Sequence, residues 1–154
     1  MRRWHLVLAT ALAGSGLVVM VAAGSPPKAG AGYAGETSQD GKISFRVTPQ
    51  GDLIRHFRIA RDLACRRGKR RTALTGRFEQ QSIRVRIGPK GGFHAEARVE
   101  GRGRSRIRAG TICLRGVFRN GGRVARGRYR EVVRLRDGSL CRAGLVTFIA
   151  RAGG

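Results

Sequence analysis

The chain has 154 residues, of which 32 are Lys or Arg and 9 are Asp or Glu, so its formal net charge is +23. This length fits one domain with a buried core and requires no second domain. A charge this positive attracts polyanions such as nucleic acid, anionic wall polymers and acidic lipid surfaces. Codon use in a G+C-rich genome is an alternative source of so much arginine.

The first 23 residues have the pattern of a signal peptide. Arg2 and Arg3 precede an apolar run that ends on the small residues Val21-Ala22-Ala23. An uncleaved membrane anchor is the alternative, because the run approaches the roughly 18 residues of a spanning helix. The sequence predicts a signal peptide over 1–23, a linker over 24–31 and a single β domain over 32–154. We expect a secreted or cell-envelope protein with no membrane span after cleavage.

Beyond residue 23 the apolar residues recur at every second position, which is typical of strands. Gly, Asn, Asp and Pro separate these stretches and indicate hairpin turns. The pattern predicts an all-β fold, an antiparallel β-sandwich or meander barrel of eight or nine strands. The predicted strands are 43–47, 53–60, 72–78, 83–87, 93–99, 107–118, 124–136 and 140–150.

The segments 107–118 and 124–136 predict a long hairpin with one apolar face and one arginine-rich face. A two-residue turn at Asn120-Gly121 or at Gly121-Gly122 keeps both apolar sets on the same side, because the two registers differ by an even shift. Glu131 interrupts the apolar face, so we expect it at a rim or a bulge.

Three cysteines, Cys65, Cys113 and Cys141, lie in the part expected to be exported. An oxidising compartment favours one disulfide and leaves one thiol over. A two-residue hairpin at 137–138 places Cys113 and Cys141 two strands apart, about 10 Å, whereas a disulfide needs Cα atoms within about 7 Å. That pairing is disfavoured, and Cys65 is left to pair with either. Zinc ligation by these cysteines and a His lacks the close spacing of dedicated sites, so no metal is predicted.

Several short segments resemble a group of uncharacterised small secreted β proteins of high-G+C actinobacteria. The resemblance covers most of the chain after the signal peptide, and it implies an exported sandwich or barrel with a Cys65–Cys141 disulfide. We adopt this pairing, which is worth about 4 kcal/mol in the chain-entropy model. Cys113 departs from the group's pattern, and the group brings no activity. The segments are Tyr33, Gly35, Thr37-Ser38-Gln39, Ile43-Ser44-Phe45-Arg46-Val47, Cys65, Gly76-Arg77-Phe78 and Cys141-Arg142-Ala143-Gly144.

Basic clusters are the strongest chemical signal in the sequence. One of them is expected to be a loop with five cations, and another is a ladder with cations about 7 Å apart along a strand. This spacing suits successive phosphates or sulfates of an extended polymer, which Arg binds in a forked geometry. The predicted polyanion-binding residues are Arg66, Arg67, Lys69, Arg70 and Arg71 in the loop, and Arg126, Arg128 and Arg130 in the ladder.

We therefore expect a non-enzymatic β domain without a cofactor or catalytic residues. Its expected partners are anionic polymers: wall polymer, polysaccharide or non-specifically bound nucleic acid. An acid–base pair of His94 and Glu96 in a hydrolase is an alternative, although spacing alone defines no substrate geometry. Another alternative is a barrel that carries a small ligand among aromatic side chains. Those side chains would be Phe45, Phe57, Phe78 and Tyr129.

Overall fold

A computed structural model describes residues 24–80, 84–101, 103 and 105–153, so the predicted signal peptide lies outside the described residues. Ten strands and no helix are present in this part of the chain. The strands are β1 (Gly32–Thr37), β2 (Lys42–Val47), β3 (Leu53–Arg67), β4 (Arg70–Gln80), β5 (Val85–Arg86), β6 (Gly92–Glu100), β7 (Ile107–Arg119), β8 (Val124–Leu135), β9 (Leu140–Arg142) and β10 (Val146–Ala152).

Six of the strands close an antiparallel barrel. They follow one another in the order β10, β1, β2, β3, β9 and β8, and β8 pairs again with β10. The other edge of β3 pairs with β4 and β5, and the other edge of β8 pairs with β7, which pairs with β6. A bridge between Ile87 and Phe93 joins the β5 end to β6. The prediction of an antiparallel all-β fold is confirmed.

The strand limits differ from the predictions in three places. β1 was not predicted, yet it pairs with β2 and β10 and buries Tyr33 and Thr37. β3 continues past residue 60 because Arg61, which interrupts its apolar pattern, finds a partner inside the barrel. The predicted strand 140–150 is two strands, because the chain breaks at Gly144, whose φ of 66° is left-handed.

Two hairpins set the register of β8. In the β7–β8 hairpin Cys113 faces Arg130, which is the register of the Gly121-Gly122 alternative. In the β8–β9 hairpin Arg134 faces Leu140, so residues 136–138 form a three-residue turn rather than the predicted two-residue turn. Gly138 permits this turn with a φ of 87°. Cys141 therefore faces Val133 instead of Arg134.

Aromatic side chains fill much of the barrel interior. The ring centroids of Tyr33 and Phe45 lie 5.0 Å apart, and those of Phe57 and Tyr129 lie 6.1 Å apart. Phe45 also lies 6.4 Å from Phe57. Three of the four rings proposed to surround a small ligand therefore pack against one another. The fourth is that of Phe78, whose side chain is not among those that the structure describes. Such mutual packing is typical of a small barrel whose core is filled.

Two glycines make room for aromatic rings on the inner face of the sheet. Gly116 and Gly127 face each other across β7 and β8, and Phe93 and Phe148 are their outer neighbours in the same row. A Cβ atom on either glycine would collide with the adjacent phenylalanine ring. Each ring thus covers a glycine of the neighbouring strand, an arrangement found where sheets bend.

Glu131 is buried in the barrel, so its predicted place at a rim or bulge was wrong. Arg61 binds it in a forked geometry, with Nε–Oε2 and Nη2–Oε1 distances of 2.6 and 2.8 Å. The hydroxyl of Tyr129 donates a further hydrogen bond to Oε2. Glu131 occupies an ordinary inward position in the β7–β8 register. Its charge is tolerated there because β3 supplies the opposite charge.

The predicted disulfide between Cys65 and Cys141 is confirmed. The two residues are direct partners across β3 and β9, where both side chains are buried. Cys113 lies beyond β8 on β7 and is a free, half-buried thiol. The bond joins strands that are 76 residues apart in sequence, at the end of the barrel where β9 bridges β3 and β8.

Residues 24–31, predicted as a linker, form no strand but are hydrogen-bonded to the barrel. The amide of Ser25 donates to the carbonyl of Phe118, and the amide of Gly30 donates to the carbonyl of Thr48. The Tyr33 hydroxyl accepts from the amide of Lys28 and donates to the carbonyl of Gly122. This segment therefore packs over one end of the barrel beside the β7–β8 turn.

Candidate anion-binding groove

A groove of about 1370 Å³ crosses the outer face of β1, β10, β8 and β7. Three glycines, Gly35, Gly116 and Gly127, contribute backbone to its lining. We refer to this feature as the arginine groove, because five arginines line it. These arginines are Arg115 and Arg119 on β7, Arg126 and Arg128 on β8, and Arg151 on β10.

The strand registers explain how these arginines come together. Alternation directs Arg126 and Arg128 away from the core, and Arg115 lies directly opposite Arg128. Val124 on β8 lies between two arginines, because Arg119 is its partner on β7 and Arg151 is its partner on β10. Direct cross-strand neighbours are about 5 Å apart, and alternate residues along a strand are about 7 Å apart. Three strands thus present five cations within a field about 14 Å long.

Arg119 is the arginine with the most unusual environment in the groove. Its Nη1 atom is buried, and no hydrogen-bond partner for this atom is present among the described residues. Leaving a buried donor without a partner is unfavourable by about 1–3 kcal/mol for a neutral polar group, and by more for a charged group. A bound anion would supply the missing acceptor.

Among the described residues, Glu36 is the one acidic residue that lines the groove, and Lys42 is already paired with it. Lys42, its direct partner on β2, donates a hydrogen bond to its carboxylate. That hydrogen bond and the charge of Lys42 lower the pKa of Glu36. Because Lys42 is the partner of Glu36, the carboxylate does not neutralise the groove arginines, and the electrostatic potential of the groove stays positive.

The predicted ladder is only partly in the groove. Arg126 and Arg128 line it, whereas Arg130 lies further along β8, opposite Cys113. Arg115, Arg119 and Arg151 were not predicted. Arg115 and Arg119 lie on the same face of β7 with Val117 between them, but their proximity to Arg128 and Arg151 depends on strand pairing.

The predicted basic loop is a hairpin tip rather than a loop. Arg66 faces Arg71 and Arg67 faces Arg70 across β3 and β4, with only Gly68 and Lys69 in the turn. All five predicted cations are exposed there. The carboxylate of Asp137 has a lowered pKa, chiefly because the backbone of Ser139 donates to it and in smaller part because of Arg67.

The hairpin tip and the arginine groove lie at different ends of the barrel. Arg66 faces Leu140, which in turn faces Arg134, whereas the groove begins at Arg128. Six residues of an extended strand span about 20 Å. The structure therefore separates the two predicted clusters, and a short anion cannot contact both.

His94 and Glu96, the alternative acid–base pair, lie on the exposed face of β6. The His94 Nε2 atom is 3.6 Å from Oε1 of Glu96 and 3.9 Å from Sγ of Cys113. The thiol and the carboxylate thus approach the same ring nitrogen. In a nucleophile–base–acid arrangement they would contact opposite nitrogens of the imidazole, so this geometry does not match such a triad.

Comparison of the chain with protein-family models, with curated proteins and with solved structures found no match. The resemblance to secreted β proteins of actinobacteria therefore stays a prediction. Within the described residues, no helix is long and apolar enough to cross a membrane.

Proposed function

We propose that the protein is an exported, non-enzymatic binding protein that holds an extended anionic polymer in the arginine groove. The single observation that carries this proposal is the convergence of five arginines from three strands on one groove, in which the Arg119 Nη1 atom is buried without a partner among the described residues. The chemical class of the ligand is a single-chain polymer that carries phosphate or sulfate groups, such as a wall polymer or an acidic polysaccharide.

The spacing of the arginines supports a repeating anion. Arg115 and Arg128 form a cross-strand pair able to hold one anionic group, and Arg126 lies one alternate position further along. Arginine forks match the oxygens of phosphate and sulfate, and each such contact is charge-assisted. Neighbouring like charges repel, so a bound polyanion also relieves an unfavourable term within the sheet.

The size of the groove favours a single chain over a duplex. It spans four adjacent strands, and three inter-strand steps amount to about 14 Å. Val117, Val124 and Ile149 lie among the arginines and give it an apolar component, with Ile149 44% exposed. An extended sugar or polyol backbone could pack on these side chains while its anionic groups face the arginines. Export is supported by the Cys65–Cys141 disulfide, which is typical of oxidising compartments.

Binding to teichoic acid, heparin and double-stranded DNA across a salt series tests this proposal. The variant Arg126→Ser/Arg128→Ser removes two charges from the groove, and Arg70→Ser/Arg71→Ser removes two charges from the hairpin tip as a matched control. We expect the groove variant to weaken binding of the preferred polymer at least tenfold near physiological salt, about 1.4 kcal/mol. The tip variant should change the affinity by less than threefold.

Two results would contradict the proposal. The first is equal weakening by the groove and tip variants for all three polymers, with the same decline in salt, which would indicate diffuse charge. The second is a preference for double-stranded DNA over both single-chain polymers. The single variant Arg119→Gln is a further test, because it removes the guanidinium whose Nη1 atom is buried while leaving the four exposed arginines in place.

A further inference from the structure

A second cluster of chemically reactive side chains lies beside the groove, on β6 and β7. Glu96 and Cys113 are direct cross-strand partners, and His94 precedes Glu96 by two residues on the same face. One ligand atom from each of the three residues lies within 4.8 Å of the other two. Thiolate, imidazole and carboxylate are the three protein groups that bind Zn²⁺.

We propose that His94, Glu96 and Cys113 form a binding site for one Zn²⁺ ion. The ligand atoms would be Nε2 of His94, Sγ of Cys113 and a carboxylate oxygen of Glu96. This site adjoins the arginine groove, because Arg115 is the cross-strand partner of His94, but it does not depend on polyanion binding.

The distances fit a tetrahedral ion after small side-chain movements. Bond lengths of about 2.0–2.3 Å place the ligands of a tetrahedral Zn²⁺ about 3.3–3.8 Å apart. The two distances from His94 Nε2 are 3.6 Å to the carboxylate and 3.9 Å to the thiol. All three residues lie on paired strands, so the backbone already holds them close together. The exposed fourth position is open to water.

Charge balance explains how a cation can bind on so basic a protein. Zn²⁺ displaces the thiol proton of Cys113, so that an S–H bond is replaced by a Zn–S bond and a proton goes to solvent. The charge of +2 on the ion is then balanced by the negative charges of one thiolate and one carboxylate, while the imidazole is neutral. The occupied site has no net charge, so Arg115 and Arg130, which face His94 and Cys113, do not repel it as they would repel a bare cation.

The sequence predicts no metal site because the three ligands are not close together along the chain. Cys113 follows Glu96 by 17 residues, and the spacing resembles none of the short motifs of dedicated zinc sites. The β6–β7 register brings them together. The two other cysteines form the disulfide and take no part.

Metal titration of the full chain, with one free thiol confirmed by a thiol-reactive dye, tests the site. Co²⁺ serves as a spectroscopic probe, and Zn²⁺ affinity is measured by competition with a coloured chelator. We expect one ion per chain, a thiolate-to-cobalt charge-transfer band, and slower alkylation of Cys113 in the presence of Zn²⁺. Cys113→Ser should abolish the band, and His94→Asn and Glu96→Gln should each weaken Zn²⁺ binding at least tenfold.

His56→Asn is the matched control, since His56 is an exposed histidine on a different strand. It should bind Zn²⁺ as the unaltered protein does. The proposal is overturned if no ion binds stoichiometrically, if the band survives in Cys113→Ser, or if His56→Asn weakens binding as much as His94→Asn. The three ligand positions are on the surface, so equal urea midpoints of the metal-free variants would show that each variant folds.

Discussion

The inner and outer faces of strand β8 place charge in opposite situations. On the inner face Glu131 is 1% exposed and is bound by Arg61 and Tyr129. On the outer face Arg126, Arg128 and Arg130 occupy successive alternate positions, Arg134 lies four residues beyond Arg130, and all four are exposed. One strand of twelve residues thus carries both a buried, paired charge and a row of exposed charges of one sign.

The buried and the exposed charges of β8 serve different purposes. Inside the barrel an unpaired charge is destabilising by several kcal/mol, so the acid and the base must occur together. On the outer face, water and salt weaken the repulsion between arginines, so the folded protein tolerates several of them side by side. We therefore expect the inner charges to determine stability and the outer charges to determine binding.

The largest expected effect comes from breaking the inner pair. Arg61→Met should lower the free energy of unfolding by about 3–5 kcal/mol, because Glu131 is then left buried without its cation. Urea denaturation followed by circular dichroism measures the change. Arg55→Met, at an exposed position of the same strand, is the control and should change the free energy by less than about 0.5 kcal/mol.

Replacing both inner charges sharpens this result. The double variant Arg61→Met/Glu131→Leu removes the unpaired carboxylate as well, so it should regain most of the stability lost in Arg61→Met. A double variant that is no more stable than Arg61→Met would show that the packing of Arg61, and not its charge, is what matters.

A smaller effect is expected from the inner glycine of β8. Gly127→Ala places a Cβ atom against the ring of Phe148, so we expect a loss of about 1–3 kcal/mol from overpacking. Gly92→Ala is the matched control, because nothing lies within 4 Å of the added Cβ atom and the backbone there has no positive φ. Equal thermal unfolding midpoints for the two variants would argue against the tight contact.

The two buried tyrosines predict a loss of stability at alkaline pH. Burial raises the pKa of Tyr129, with a further contribution from Glu131, and burial also raises the pKa of Tyr33. Above pH of about 10 the unfolded chain releases these protons while the folded chain retains them. The free energy of unfolding should therefore fall by up to about 1.4 kcal/mol per pH unit for each tyrosine.

Urea denaturation between pH 8 and 11 measures this slope, and Tyr129→Phe is the informative variant. Its stability at pH 8 should be lower because the hydrogen bond to Glu131 is lost, but its decline above pH 10 should be less steep. An unchanged slope in Tyr129→Phe would show that other groups cause the alkaline effect.

The smallest effect on stability is expected on the outer face. Arg126→Ser and Arg128→Ser should each change the free energy of unfolding by less than about 0.5 kcal/mol, since both side chains are exposed. Raising the NaCl concentration should stabilise the unaltered protein more than the double variant, because salt screens the repulsion that the variant lacks. Destabilisation above about 2 kcal/mol would mean that these arginines support the fold rather than a ligand.

Much of the fold could be predicted because a strand reports its inner and outer faces through alternation. The inward positions of Tyr129 and Val133 and the outward positions of Arg126 and Arg128 follow from this pattern. The two turns considered for the β7–β8 hairpin would place Cys113 opposite either Arg128 or Arg130, and in the structure its partner is Arg130. The length of the β8–β9 turn was harder to predict from the sequence, because Gly138 permits both two-residue and three-residue hairpins.

The fold class, the positive charge and the core-facing side chains of most of the alternating strands could be predicted from the sequence alone. These properties depend on residues adjacent in the chain, whose directions the backbone dictates locally. Tertiary structure alone decided that Arg61 pairs with Glu131, that Arg115 meets Arg128, and that Cys113 meets Glu96. Each of these contacts depends on which strands become neighbours and in what register. Burial of the whole core selects that arrangement, and no short segment encodes it.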